Sequence, residues 1–252
     1  MPSHRCRPYQ KQKQRPSRRE MAALPSCMSG CEIGRRVRSG WAKEHTARCK
    51  PHRKKPDGYA ALMTVQEARD LMREWVVNES LRGHMEAVAA CMGAYAGRLA
   101  AGQEHRWVVC GLLHDFDYER HPTKSEHPFV GVKELEKRGV DEEIRTAILG
   151  HADYSGVPRA SAMAKALYAC DELAGFIVAC AKVRPNGIGD LEAKSVKKKL
   201  KDKAFAAAVS REDIARGIAE LAPLCSGGEG FEAGHITRCI EAIKGARERV
   251  GA

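Results

Sequence analysis

Leu112-Leu113-His114-Asp115-Phe116-Asp117-Tyr118 is an apolar run that ends abruptly in charge. Imidazole and carboxylate are the ligand types that hold iron, manganese, zinc or cobalt. Outward from the pair, His84 stands on one side, and His127, His151 and Asp171 on the other. Each falls on a separate predicted helix end or face, so a helical bundle could close all six groups into one site. A single histidine on a helix is more often a satisfied surface or core residue than a ligand; the pattern carries more weight than its parts. Asp171 is the most telling member. It lies among Ala169, Cys170, Leu173 and Ala174, and a carboxylate at an apolar helix position is costly unless paired or metal-bound. Glu172 points about 100 degrees away along the helix and is expected to be exposed.

The surrounding sequence reads as helix after helix from Met63 onward. Thr64-Val65-Gln66-Glu67 is a capping box that opens a helix to about residue 77. A second helix is expected over 80–100, with Met85, Val88, Ala89, Met92 and Tyr95 spaced for a buried face. Further helices are expected over 104–114, 125–137 with Ser125 as cap, 141–150 behind Asp141, and 162–182. After the break at Pro185-Asn186-Gly187, helices near 190–201, 210–222 and 234–249 complete the pattern. No segment reads as a strand, so the fold class is all-α.

Composition separates this body from what precedes it. The formal net charge of the 252 residues is +11. Residues 1–62 hold 16 Lys+Arg against 4 Asp+Glu, which leaves 27 against 28 for residues 63–252. Basic character therefore belongs to the first segment, where salt-sensitive contact with nucleic acid would lie; the body is near neutral and is not expected to bind nucleic acid. Residues 1–62 are rich in Arg, Lys, Pro and Ser with few large aliphatics, which predicts a disordered extension and makes Met63 a plausible first residue. Cys27, Cys31, His45, Cys49 and His52 loosely follow a zinc-module spacing, but the apolar residues that normally pack around such a metal are missing. Cys91, Cys110, Cys170 and Cys180 lie in apolar helical stretches, where free cysteine acts as a small hydrophobe. No disulfide spacing stands out, which suits a reducing, cytoplasmic setting. No stretch is long and apolar enough to predict a membrane span.

The order His84, His114-Asp115, Asp171, with intervals of 30 and 56 residues, resembles the HD-domain superfamily of metal-dependent phosphohydrolases. His127 and His151, lying between, resemble the branch that carries two metals. The strings Ile148-Leu149-Gly150-His151 and Ala166-Leu167-Tyr168-Ala169-Cys170-Asp171 also look like bacterial members. The resemblance implies an HD-domain helical bundle over 63–222, followed by a linker and C-terminal helix over 223–252. It implies that His84, His114, Asp115 and Asp171 hold one divalent cation and that His127 and His151 hold a second, with Asp115 bridging. The cations would be iron, manganese, cobalt or zinc, and the substrate a small-molecule, nucleotide-like phosphoester attacked by a metal-activated water. Tyr154-Ser155-Gly156-Val157-Pro158 only approximates the Gly-Tyr-Pro signature of cyclic-dinucleotide phosphodiesterases, which argues against that substrate. Alternatives are a di-iron oxygenase built on the same ligands and a non-catalytic ligand-sensing module.

Around this set, Asp115, His114 and Asp117 are the expected catalytic groups, Asp117 by orienting a ligand histidine or a water. Lys124, Arg159, Lys165 and Arg184 are candidates for substrate phosphate. For each, a solvated surface charge is the bland reading. The same holds for the run Lys194, Lys197, Lys198, Lys199, Lys201 and Lys203.

Overall fold

The computed structural model describes residues 62–252, and within them every regular element is helical. Expectations for residues 1–61 (the basic extension, its zinc-like spacing and its nucleic-acid contact) lie outside the described residues. Ten α-helices follow one another: α1 Val65–Trp75, α2 Glu79–Leu99, α3 Glu104–Leu113, α4 Phe129–Lys137, α5 Glu142–Gly150, α6 Ala162–Lys182, α7 Ala193–Leu200, α8 Arg211–Leu221, α9 Phe231–Gly245 and α10 Arg247–Val250. The fold is all-α, as the periodicity required.

Local chemistry starts five of these ten helices. The Thr64 side chain accepts from the Glu67 N–H while the Glu67 carboxylate accepts from the Thr64 N–H, the reciprocal capping box, a device of about 1 kcal/mol. Asn78, Asp141, Ser161 and Ser210 cap α2, α5, α6 and α8 in the same one-sided way. The start of α4 departs from expectation. Ser125 does not cap it; residues 123–127 form a turn and the helix opens at Phe129. The ring of Pro128 disfavours a helical His127, so the chain before it stays out of the helix. The last expected helix is split into α9 and α10, with Ala246 between them.

α2 and α6, each spanning six turns, form the axis of the bundle. α2 packs against α3, α6 and α9, and α6 against α5 and α8. Trp107, Tyr95, Phe116 and Phe176 are the largest fully buried side chains between them. The contact between α2 and α3 is among the tightest of these. A Cβ on Gly111 would stand 2.6 Å from the Ala89 Cα and 2.8 Å from its N. Only glycine lets the two backbones meet at this distance, three residues before His114. At the other end of the chain, buried Glu86 of α2 takes Arg69 at 2.8 Å and Arg249 at 3.2 Å. These pairs tie α1 and α10 to α2 through one carboxylate. No helix among the described residues is long and apolar enough to cross a membrane, and all six of their cysteines are free.

Gly111→Ala is expected to destabilise the protein by roughly 1–3 kcal/mol, because the methyl meets backbone that cannot move aside. Gly97→Ala, also in α2 but with nothing within 4 Å of the added Cβ, is expected to stabilise by about 0.5–1 kcal/mol. Urea denaturation of the two variants checks both signs.

Candidate metal centre

α3 and α5 deliver their histidines in the same way. His114 and His151 each occupy the residue after the last helical turn. The His114 Nδ1–H donates to the Gly111 carbonyl at 2.8 Å, and the His151 Nδ1–H to that of Ile148, both three residues earlier. Carbonyls left over at a helix end are thereby satisfied, and each ring presents Nε2 inward. His127, in the turn before Pro128, gives its Nδ1–H to Asp117 Oδ1 at 2.7 Å. Asp117 Oδ2 accepts from the Gly131 N–H at 2.7 Å. The Tyr118 ring meets the His127 ring edge to face.

All six expected ligands come together. The Asp115 carboxylate, fully buried, stands at the centre and divides them. Its Oδ2 lies 3.8 Å from His84 Nε2 and 3.5 Å from His114 Nε2. Its Oδ1 lies 3.4 Å from His127 Nε2 and 3.3 Å from His151 Nε2. Asp171 Oδ1 closes the first group, at 3.0 Å from His84 Nε2 and 3.4 Å from His114 Nε2. His84 comes from α2, Asp171 from mid-α6, and the other four from the ends of α3 and α5 and the turns beside them.

The donor set fits a cation. With Nδ1 of His127 and His151 committed as donors, their Nε2 atoms carry lone pairs. Those two atoms stand 3.3 Å apart, and both face a carboxylate oxygen. Three electron-pair donors pointing at one another are mutually repulsive unless positive charge lies between them. The spacings are close to the roughly 3.0–3.4 Å separating neighbouring nitrogen and oxygen ligands held about 2.0–2.1 Å from a metal. His84, His114, Asp115 and Asp171 make one group able to hold an ion, and Asp115, His127 and His151 a second.

Burial disfavours the charged form of the His114 imidazole, but the Asp115 and Asp171 carboxylates outweigh it and hold its pKa up at about 10. A cation bound there would take that proton's place.

Beside the first group, a pocket of about 810 Å³ opens between α2 and α6. His84 and Asp171 form one end, and Val178, Ala179, Val209 and Val250 its apolar walls, with Lys182 at the rim. Glu172, expected to be exposed, lines this pocket half-buried and accepts from the Ser210 N–H at 3.1 Å. The basic candidates for phosphate fare differently. Arg159 grips Glu220 through Nε at 2.8 Å and Nη2 at 2.7 Å, binds Asp153 at 2.7 Å and lies over the Tyr168 ring. With its donors spent bracing the turn before α6 against α8, it leaves the phosphate set. Arg184 also leaves it. It pairs with Asp190 at 2.9 Å beyond the end of α6 and does not line the pocket. Lys124 is exposed, 5.5 Å from the Tyr154 ring centroid, and Lys165 is half-buried beside Gly156, Val157 and Pro158. The pocket and Lys182 were missed at the level of sequence. The residues that build the pocket are mostly small and apolar, spread over three helices and the turn segment before α8, and carry no motif.

The family model described as HD domain matches residues 81–175. That stretch is an HD domain. The match spans α2 through mid-α6 and takes in all six converging residues, which places the region in the superfamily of metal-dependent phosphohydrolases. No curated protein and no solved structure compared with the chain matches it.

Asp117→Ala is expected to weaken metal binding at the His127–His151 group by about 10- to 100-fold, the usual effect of removing a partner that orients a ligand histidine. The His84–Asp171 group should keep its affinity, so a calorimetric titration resolves one weakened equivalent and one unchanged. The raised His114 pKa has its own signature in chelator-treated protein. Stability from this charge is complete below the ordinary imidazole pKa of about 6.5 and is lost as pH rises through about 10. Thermal melts across that window should fall with pH, and Asp171→Asn should flatten the slope.

Proposed function

We propose that the HD domain is a two-metal phosphohydrolase acting on a small phosphoester with an apolar or base-like body. The reading is carried by Asp115, whose two carboxylate oxygens are shared between two imidazole groups at the end of an apolar pocket. His84, His114, Asp115 and Asp171 would hold one cation, and His127 and His151, with Asp115 shared, the other. Mixed imidazole and carboxylate ligation suits iron, manganese, cobalt or zinc better than magnesium. Such cations polarise a phosphoryl oxygen and lower the pKa of a water toward neutrality.

The chain's own residues supply the rest. Gly111, Ile148 and Asp117 fix the ring orientations, so that the ligands need little rearrangement when charge develops. The apolar walls of the pocket would exclude water from around the substrate body. Lys182, at the rim of the pocket, stands where it can meet a second anionic group. A pocket with a single lysine at its rim favours a mono- or diester of one phosphate over a polyphosphate.

The test is a panel of phosphomonoesters, phosphodiesters and nucleotides assayed with chelator-treated protein reloaded with manganese, iron, cobalt, nickel or zinc. Hydrolysis in at least one metal is expected. Asp115→Ala should cut it by more than about 100-fold, since even partners behind the ligands are worth 10- to 100-fold. Iron-dependent oxygen consumption without phosphate release would overturn this reading in favour of an oxygenase, and binding of nucleotides with no turnover in any metal would leave a sensing module.

A further inference from the structure

Where α2, α6 and α9 meet, a second cluster of metal-ligating side chains sits in the core. Cys91 of α2, Cys170 of α6 and Cys239 of α9 bring their Sγ atoms within 4.8 Å of one another, all three fully buried. Four residues before Cys239, and so on the same face of α9, His235 is also fully buried. Its Nε2–H donates to the Ala169 carbonyl at 3.1 Å. Nδ1 therefore carries the lone pair. It faces the Cys239 Sγ at 3.8 Å and accepts a hydrogen bond from the Tyr95 hydroxyl.

Buried free cysteines are usually small hydrophobes, and Cys110 and Cys180, which are not part of this cluster, fit that description. The cluster does not. Three thiols from three separate helices meet beside an imidazole whose outer N–H is fixed by a backbone carbonyl, the arrangement that orients a ligating histidine. Sulfur ligands about 2.3 Å from a tetrahedral zinc lie roughly 3.8 Å apart, and the three Sγ atoms already lie within 4.8 Å of one another. We propose that Cys91, Cys170, Cys239 and His235 Nδ1 form a structural zinc site. Binding releases three thiol protons and leaves three thiolates on a divalent cation, a net charge of −1. The Arg238 guanidinium, 5.3 Å from the centre of the Tyr95 ring, stands close enough to offset it. Tyr95 gives up its hydrogen bond to Nδ1 as the metal takes that lone pair. No member of the site is open to solvent, which makes it a closed, structural site and not a catalytic one. It would pin α9 to α2 and α6 one residue away from Asp171.

The experiment uses the full chain with Cys6, Cys27, Cys31 and Cys49 replaced by serine, so that no thiol before the described residues contributes. Protein purified under reductant should contain zinc with sulfur neighbours at about 2.3 Å by X-ray absorption. Its cobalt-substituted form should show a near-ultraviolet thiolate-to-cobalt band. Cys239→Ser should abolish that band, while Asp115→Ala and Cys110→Ser keep it. Zinc bound only by nitrogen and oxygen, sulfur-bound copper in place of zinc, or a cobalt band that survives Cys239→Ser would overturn the proposal. If Cys239→Ser does not fold, the absorption spectrum of the parent protein decides the matter on its own.

Discussion

A carboxylate with no exposure to solvent, Asp115, sets the terms for the rest of the bundle. Burying a lone anion in an apolar core costs far more than a domain can absorb, so positive or polarisable groups must surround it on every side. Four imidazole Nε2 atoms gather within 3.3–3.8 Å of its oxygens, so that a cation held among them would meet that demand. They can gather only because α2, α3 and α5 approach one point. Gly111 lets α3 lie against α2, and the helix ends at His114 and His151 turn their rings inward by donating backward to carbonyls. Those ends carry the negative pole of the helix dipole, which favours positive charge nearby. Helix termination, close packing and charge balance are thus one constraint seen at three scales.

The same constraint explains which features were legible in the sequence. His84, His114, Asp115, His127, His151 and Asp171 could be picked out because polar residues at apolar helix positions violate the pattern around them. Thr64 through Glu67 could be read because a cap is a local transaction between residues three apart. The start of α4 could not be placed from Ser125, because the proline at 128 overrides a good capping residue. Arg159 and Arg184 looked available for phosphate until their partners, Glu220 and Asp190, were brought to them by the fold. Cys91 and Cys170 read as small hydrophobes individually, and only packing reveals that they share a cluster with Cys239 from a distant helix. Charge and periodicity report a residue's own environment; they do not report which distant residue will satisfy it.

One division of labour follows from where the pocket walls originate. The ligand set falls entirely within residues 81–175, but Ala206, Ala208, Val209 and Val250, which form the far wall, do not. Arg211 fixes most of that wall. Its guanidinium donates to the carbonyls of Asp202, Phe205, Ala206 and Val209, and lies over the Phe176 ring of α6. A segment held by one cation through four carbonyls is rigid without being regular, and its surface can be recast by changing small side chains while the arginine keeps the backbone in place. The other part of the wall, Val250, is held by the Glu86–Arg249 pair. On the proposed function, the metal chemistry and the selectivity for a substrate body would therefore occupy different stretches of sequence. Phe176, on the same helix as Asp171, is the joint between them.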